Sequence, residues 1–376
     1  MSKLNIEQLA ILKLLSKIEG VGSARIRQLY AHFKSFENIL KANYNSLLEV
    51  ETISHILAKK INGAIHVQRL PLIQKVETSL SELRKINAKC ITFWDDDYPE
   101  ILRNIYDAPL VIYMKGSLEP EDLYSIGIVG TRTPTNYGRM QAERFSEVLS
   151  QQKITIVSGM ARGIDSIAHR VALKNSSRTI AIIGSGLNVI YPPENKLLFE
   201  EIAEKGAIIS EYELGTGPDA VNFPRRNRII AGLSLGILVI ESGLVGGALQ
   251  TAAYAFDQNK EIFAIPGNLG MAKSEGTNML IRKDMARLVI TPEDLIYDMG
   301  IKIKPVIKQK PTSLAMNPGI NLFEQKLIQH LDIKPKHIDE ISTSSCISTS
   351  DCLVYLLSLE FKGLVKQYPG KMFSLS

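Results

Sequence analysis

Between Ile126 and Gly247, four short apolar runs each end in a glycine-rich turn, and no other feature of the chain constrains its fold as strongly. The first reads Ile126-Gly-Ile-Val-Gly-Thr-Arg132 and the second Ile154-Thr-Ile-Val-Ser-Gly-Met-Ala-Arg-Gly-Ile-Asp165. The third is Thr179-Ile-Ala-Ile-Ile-Gly-Ser-Gly186; the fourth, Ile237-Leu-Val-Ile-Glu-Ser-Gly243, leads to Gly246-Gly247. Amphipathic segments separate these runs, and their periodicity predicts helices over 137–151, 165–174, 194–205, 226–233 and 247–258. Further strands are expected over 207–210, 235–240, 261–265 and 287–290. Such alternation specifies a doubly wound α/β sheet, with the glycine turns opening together onto one phosphate-seeking crevice.

Smaller elements flank this unit. Leu9, Leu12, Leu15 and Ile18 recur at helical spacing. The following Ile18-Glu-Gly-Val-Gly-Ser-Ala-Arg-Ile-Arg27 fits a helix-hairpin-helix, whose glycines let backbone approach a phosphate, and fits equally a plain turn in a small bundle. Short strands are expected around 91–94 and 108–116, with Asp95, Asp96 and Asp97 on a solvated turn between them. Residues 300–317 read as a linker. Helices over 323–331, 335–342 and 349–359, then a hairpin over 365–373 around Pro369-Gly370, describe a winged helix. The expected domains are therefore 1–66, 85–297 and 318–376.

Composition narrows the class of function. The net charge of +5 is mildly basic, and the excess sits at the ends: nine Lys/Arg against five Asp/Glu in 1–66, ten against six in 300–376. That distribution favours a polyanionic partner over a small acidic substrate. No run approaches the about 20 apolar residues of a membrane span, and the first residues lack a leader pattern, so a cytoplasmic protein is expected. The cysteines (Cys90, Cys346, Cys352) fit neither a disulfide framework nor a zinc site. The six histidines show no metal spacing, so no metal is expected.

The turns also fail as a cofactor fingerprint. Gly127-x-x-Gly130 lacks a third glycine in register, and Ser158-Gly159 stands where a ribose-binding acid would end the second strand. No P-loop or nucleophile elbow is present. Arginines accompany the turns instead: Arg132, Arg162, and Arg225, Arg226 and Arg228 at a helix start, where cations oppose the helix dipole. A bound anion resolves that conflict, and so does pairing with Asp165, Glu211 or Glu213. Lys196 and Phe199 lie three apart, placing a cation and an aromatic ring on one face as single-strand binders do; core packing is the alternative for Phe199. Asp165 and His169, four apart, are expected to touch on their helix.

The motifs in order resemble the DprA/Smf family of DNA-processing proteins. The resemblance rests on Ile128-Val-Gly-Thr-Arg132, Ser158-Gly-Met-Ala-Arg-Gly-Ile-Asp165, Tyr191-Pro192, Phe223-Pro-Arg-Arg-Asn-Arg-Ile-Ile-Ala-Gly-Leu-Ser234, Ala264-Ile-Pro-Gly267 and Gly276-Thr-Asn-Met-Leu-Ile281, within 85–290. It implies an extended Rossmann-like domain between a helix-hairpin-helix or SAM-like domain and a winged helix. It further implies a dimer that binds single-stranded DNA, loads a RecA-type recombinase during DNA uptake, and catalyses nothing. The expected DNA-binding residues are Gly130, Thr131, Arg132, Gly159, Arg162, Gly163, Lys196, Phe199, Arg225, Arg226 and Arg228. The chain departs from the family at Gly247-Ala-Leu-Gln-Thr-Ala252 and at Asn259-Lys260. A competing reading is a nucleoside-monophosphate glycosidase, built on Gly246-Gly247, Thr251 and the Glu241 carboxylate. A third is a transcription factor, although the helix from Thr349 is poor in bases, which suits a protein partner better.

Overall fold

The chain divides into two compact units, Met1–Val306 and Ile307–Ser376, and the computed structural model describes residues 3–301, 321–332, 335–345 and 347–375 of them. Most of the expected linker, 302–317, lies outside the described residues.

The first unit is built on a nine-stranded sheet. Its strands are β1 (Ala88–Thr92), β2 (Val111–Gly116), β3 (Ser125–Val129), β4 (Thr155–Ser158), β5 (Thr179–Ile183), β6 (Ala207–Ser210), β7 (Gly236–Val239), β8 (Glu261–Ala264) and β9 (Arg287–Leu288). They lie in the order β1-β2-β6-β5-β4-β3-β7-β8-β9. From β6 to β9 every pairing is parallel, whereas β1 and β2 add an antiparallel hairpin at the β6 edge. The strand order reverses between β3 and β7, which makes their carboxyl ends the topological switch point.

Alternation along the strands supplies two cores. Ile126 and Ile128 of β3 face Phe145 and Leu149 of the helix Asn136–Gln151 and Ala168 of the helix Ile164–Lys174. Val129, on the opposite side, joins Ile229, Ile230 and Leu233 of the helix Asn222–Leu233 and Ala252 of the helix Gly247–Asp257. With helices on both faces, no strand position needs to be polar, which is why the runs read as continuously apolar. Gly127 has no room for a side chain: a Cβ there would lie 2.3 Å from Ile237 Cδ1.

The amino-terminal helices have their own core around Leu12, Leu15, Leu29 and Phe36. They nevertheless share a compact unit with the sheet, and the expected boundary at 66 falls inside one helix, His55–Lys85. Lys13 is buried and pairs with Glu213 at 3.1 Å, tying the first helix to the loop after β6. The turn after β1 is less solvated than its three acids suggested. Asp96 and Asp97 are exposed, but Asp95 is buried and accepts a hydrogen bond from the Thr92 amide at 2.7 Å.

In the second unit, helices Leu322–His330, Ile338–Ser345 and Thr349–Phe361 surround Leu327, Ile341, Leu356 and Phe373. Strands Val365–Tyr368 and Met372–Leu375 form the wing, and a short strand, Lys336–His337, pairs with the latter. That strand takes the place of the first turn expected for the second helix.

Candidate nucleic-acid interface

A cleft of about 760 Å³ opens at the switch point. Val129 to Arg132, leaving β3, form one wall, and Ser242 and Gly243, leaving β7, form another. Phe223 and Asn227 of the helix Asn222–Leu233 and Gly246-Gly247 at the start of the next helix complete it. A small adjoining recess, lined by Arg132, Gly159, Arg162, Gly184, Tyr191 and Phe223, leads off toward β5.

Several of the expected glycines are required by close packing. Gly163 has φ of +77°, and a Cβ there would lie 2.4 Å from the Thr131 carbonyl oxygen. A Cβ on Gly130 would lie 2.5 Å from Ile164 Cγ1. The two turns are thus pressed together. The Thr131 amide is also engaged, donating to the Glu241 carbonyl at 2.8 Å. Gly159 lies between two buried charges: a Cβ there would sit 2.7 Å from Arg226 Nη2 and 2.8 Å from Asp165 Oδ2.

The expected cations divide into two groups. Arg132 is exposed, lines both the cleft and the recess, and has no ion-pair partner among the described residues; its guanidinium lies 5.6 Å from the centre of the Phe223 ring. Lys196 is exposed at the first turn of the helix Lys196–Lys205. That helix start is fastened to the second glycine turn by Asn195, which donates to the Met160 carbonyl at 2.9 Å and to Ser166 Oγ at 2.8 Å. Arg225 is exposed but lines neither cavity. Arg162 lines the recess while forking onto Glu194, so an incoming phosphate there competes with a carboxylate.

Arg226 and Arg228 are not free to meet a strand, which corrects the sequence expectation for both. Arg226 is only 4% exposed. It donates to the Gly159 carbonyl at 2.8 Å, to the Ile182 carbonyl, and to Asn227 Oδ1 at 3.1 Å, so it stitches the ends of β4 and β5 together. Arg228 pairs with Glu211 at 2.7 Å and with Asp107 at 3.0 Å. The dipole conflict at this helix start is therefore answered by protein partners.

Phe199 is corrected as well. Its ring is 2% exposed and sits in a core with Leu173, Ile202 and Ile208. It offers no face on which a base could stack. The aromatic lining of the cleft is instead half-buried Phe223 and Tyr191, whose ring centroids are 5.6 Å apart. The expected Asp165–His169 contact is replaced too: His169 Nδ1 meets Thr179 Oγ1 at 2.7 Å. The Thr179 hydroxyl gives its own proton to the Ile156 carbonyl at 2.7 Å, so the histidine nitrogen is the donor. Burial, with Arg226 and Arg170 nearby, holds His169 neutral and lowers its pKa to about 3.

Burial pushes the Asp165 carboxyl up to about 6, against the opposing pull of Arg226 and the Ala161 amide. Glu241 is 3% exposed, and both carboxylate oxygens are engaged by Thr135: the amide donates at 2.9 Å and the hydroxyl at 2.6 Å. Among the described residues no group of three His, Cys, Asp or Glu side chains could hold a metal ion, and no helix is long and apolar enough to cross a membrane.

Known proteins share this arrangement. Residues 89–300 match the family model described as DNA recombination-mediator protein A, and residues 322–371 match the DprA winged helix domain. Protein Smf of Synechocystis sp. is 35% identical over 95% of this chain and 96% of its own length. The X-ray structure of DNA processing protein A from Streptococcus pneumoniae superposes with a TM-score of 0.62 at 29% identity, covering 79% of this chain and 99% of that one. DNA processing protein A from Helicobacter pylori, solved to describe its single-stranded DNA binding mode, gives 0.52 at 29% identity over 58% of this chain and 98% of its own.

Proposed function

The chain belongs to the DNA recombination-mediator protein A (DprA/Smf) family, and from that premise we propose that its cleft binds the backbone of single-stranded DNA. The observation that carries this reading is Arg132, an exposed cation with no ion-pair partner among the described residues, standing at the switch point of a sheet that has no acidic ribose ligand. Lys196, exposed at the start of a helix fastened to the second glycine turn, supplies a second cation for the strand. The single-strand binding named for the Helicobacter pylori relative supports the same reading. We further propose that the protein acts in the cytoplasm as a dimer of three-module chains, loading a RecA-type recombinase onto the bound strand without catalysing a reaction. The expected recombinase effect is faster filament growth on strands already covered by a single-strand binding protein. No acceleration by the full chain with its cognate recombinase would refute the loading step.

A glycosidase reading needs a free carboxylate beside Gly246-Gly247, and Thr135 occupies the Glu241 carboxylate. Incubation with nucleoside monophosphates is expected to release no base; sustained release would reverse the assignment.

The cleft carries its own pH dependence. Asp165 lines it and holds its proton up to about pH 6 in the folded protein. Below that pH the cleft loses a negative charge while Arg226 stays protonated. Single-strand affinity is therefore expected to rise several-fold as pH falls from 7.5 to 5.5. The Asp165→Asn variant is expected to lack this component, and equal pH profiles in variant and wild type would refute it.

A further inference from the structure

We propose that Glu194 is a built-in competitor for the strand, an inference that rests on the single-strand reading above. Its carboxylate holds Arg162 in the free protein, and a strand phosphate must displace it to gain that cation. Arg162 leaves the second glycine turn and lines the recess, where it forks onto Glu194 with Nε donating to Oε1 and Nη2 donating to Oε2 at 3.2 Å. The two side chains are 55% and 50% exposed, so the pair stands in solvent, open to exchange. The hydrogen bond from Arg162 holds the Glu194 carboxyl below its ordinary range, so it is ionised at neutral pH. Arg132, which lines the same recess, has no such carboxylate among the described residues.

The pair is not what joins its two segments. The residue after Glu194, buried Asn195, donates to the Met160 carbonyl at 2.9 Å and to Ser166 Oγ at 2.8 Å, and accepts from Arg170 at 3.2 Å. The residue after Arg162, Gly163, is pressed onto the first glycine turn, where a Cβ would lie 2.4 Å from the Thr131 carbonyl oxygen. The backbone is therefore fixed on both sides without the ion pair, and the two side chains can part while the chain stays still. An exposed ion pair costs little to open. A phosphate offers the guanidinium the same two-oxygen fork as a carboxylate does, and arginine takes either one bidentately. Once displaced, the Glu194 carboxylate stands beside a like charge and opposes the strand a second time. The strand is thus held below the affinity that the cations around the recess could supply, with a competitor in place to retake Arg162 when the phosphate leaves.

The test uses the full chain and a labelled oligothymidylate at several salt concentrations. Glu194→Gln is expected to bind up to about 5-fold more tightly than wild type at 0.1 M salt. Its slope of log affinity against log salt is expected to steepen by about 0.7, the share of one added phosphate contact on a single strand. In the Arg162→Ala background the same substitution is expected to leave the slope unchanged, because the cation it releases is gone. An unchanged slope in Glu194→Gln overturns the competitor. Equal steepening with and without Arg162 also overturns it, by assigning the effect to net charge alone. The thermal midpoint of Glu194→Gln is expected to match wild type, since Asn195 keeps the segments joined; a clear drop would assign the pair to the fold and overturn the proposal as well. Failure of wild type to bind the oligothymidylate would instead overturn the single-strand reading itself.

Discussion

Replacing Arg132 and Lys196 together by alanine is expected to weaken single-strand binding by about 25-fold at 0.1 M salt, with little regard to sequence. Each neutralised phosphate of a single strand contributes about 0.7 to the slope of log affinity against log salt, and so roughly 5-fold over the decade from 1 M to 0.1 M. The slope itself is expected to fall by about 1.4 in the double variant and by half that in each single one. Both side chains are exposed and neither forms an ion pair among the described residues, so their removal leaves no buried partner behind. Thermal stability is therefore expected to stay at the wild-type level. Titrations at several salt concentrations separate this outcome from a general loss of folding, and an unchanged slope would remove both residues from the interface.

Arg226→Ala is expected to act in the opposite way, lowering stability by about 3–5 kcal/mol. The guanidinium is buried, donates to the carbonyls of Gly159 and Ile182, and faces Asp165 across Gly159. Its removal strands two carbonyls and a buried carboxyl group at the junction of β4, β5 and the helix Asn222–Leu233. For a unit of this size the midpoint of thermal unfolding is expected to drop on the order of 10 °C. Arg225→Ala, one residue away and exposed, is expected to leave the midpoint unchanged. Equal midpoints for the two variants would contradict the division between structural and available arginines.

That division was partly legible in the sequence. Arg226, Ile229, Ile230 and Leu233 fall at helical core spacing, and all four are buried. Leu198, Phe199 and Ile202 form a similar inward stripe, which outranks the three-residue spacing that put Phe199 beside Lys196. Pairing with Asp165, Glu211 or Glu213 was one of the two readings open for the arginines; it is realised for Arg228, which pairs with Glu211, whereas Arg226 is held by the Gly159 and Ile182 carbonyls. The parallel strands and the crevice followed directly from apolar runs and glycine turns, because burial on both faces leaves so distinct a pattern. The long helix His55–Lys85 was hidden by Gly63 and Pro71, residues that ordinarily interrupt helices and here lie inside one. The Tyr191–Phe223 corner was also out of reach, since it joins two loops 32 residues apart through the end of β5.

The central claim is that the glycine-turn crevice serves a strand of DNA, and equilibrium binding of the full chain to a labelled oligothymidylate and to a duplex of equal length tests it most directly. Across 50–300 mM salt, the single strand is expected to bind more tightly than the duplex, with log affinity falling linearly against log salt. Equal or tighter binding of the duplex, or an affinity indifferent to salt, would contradict it.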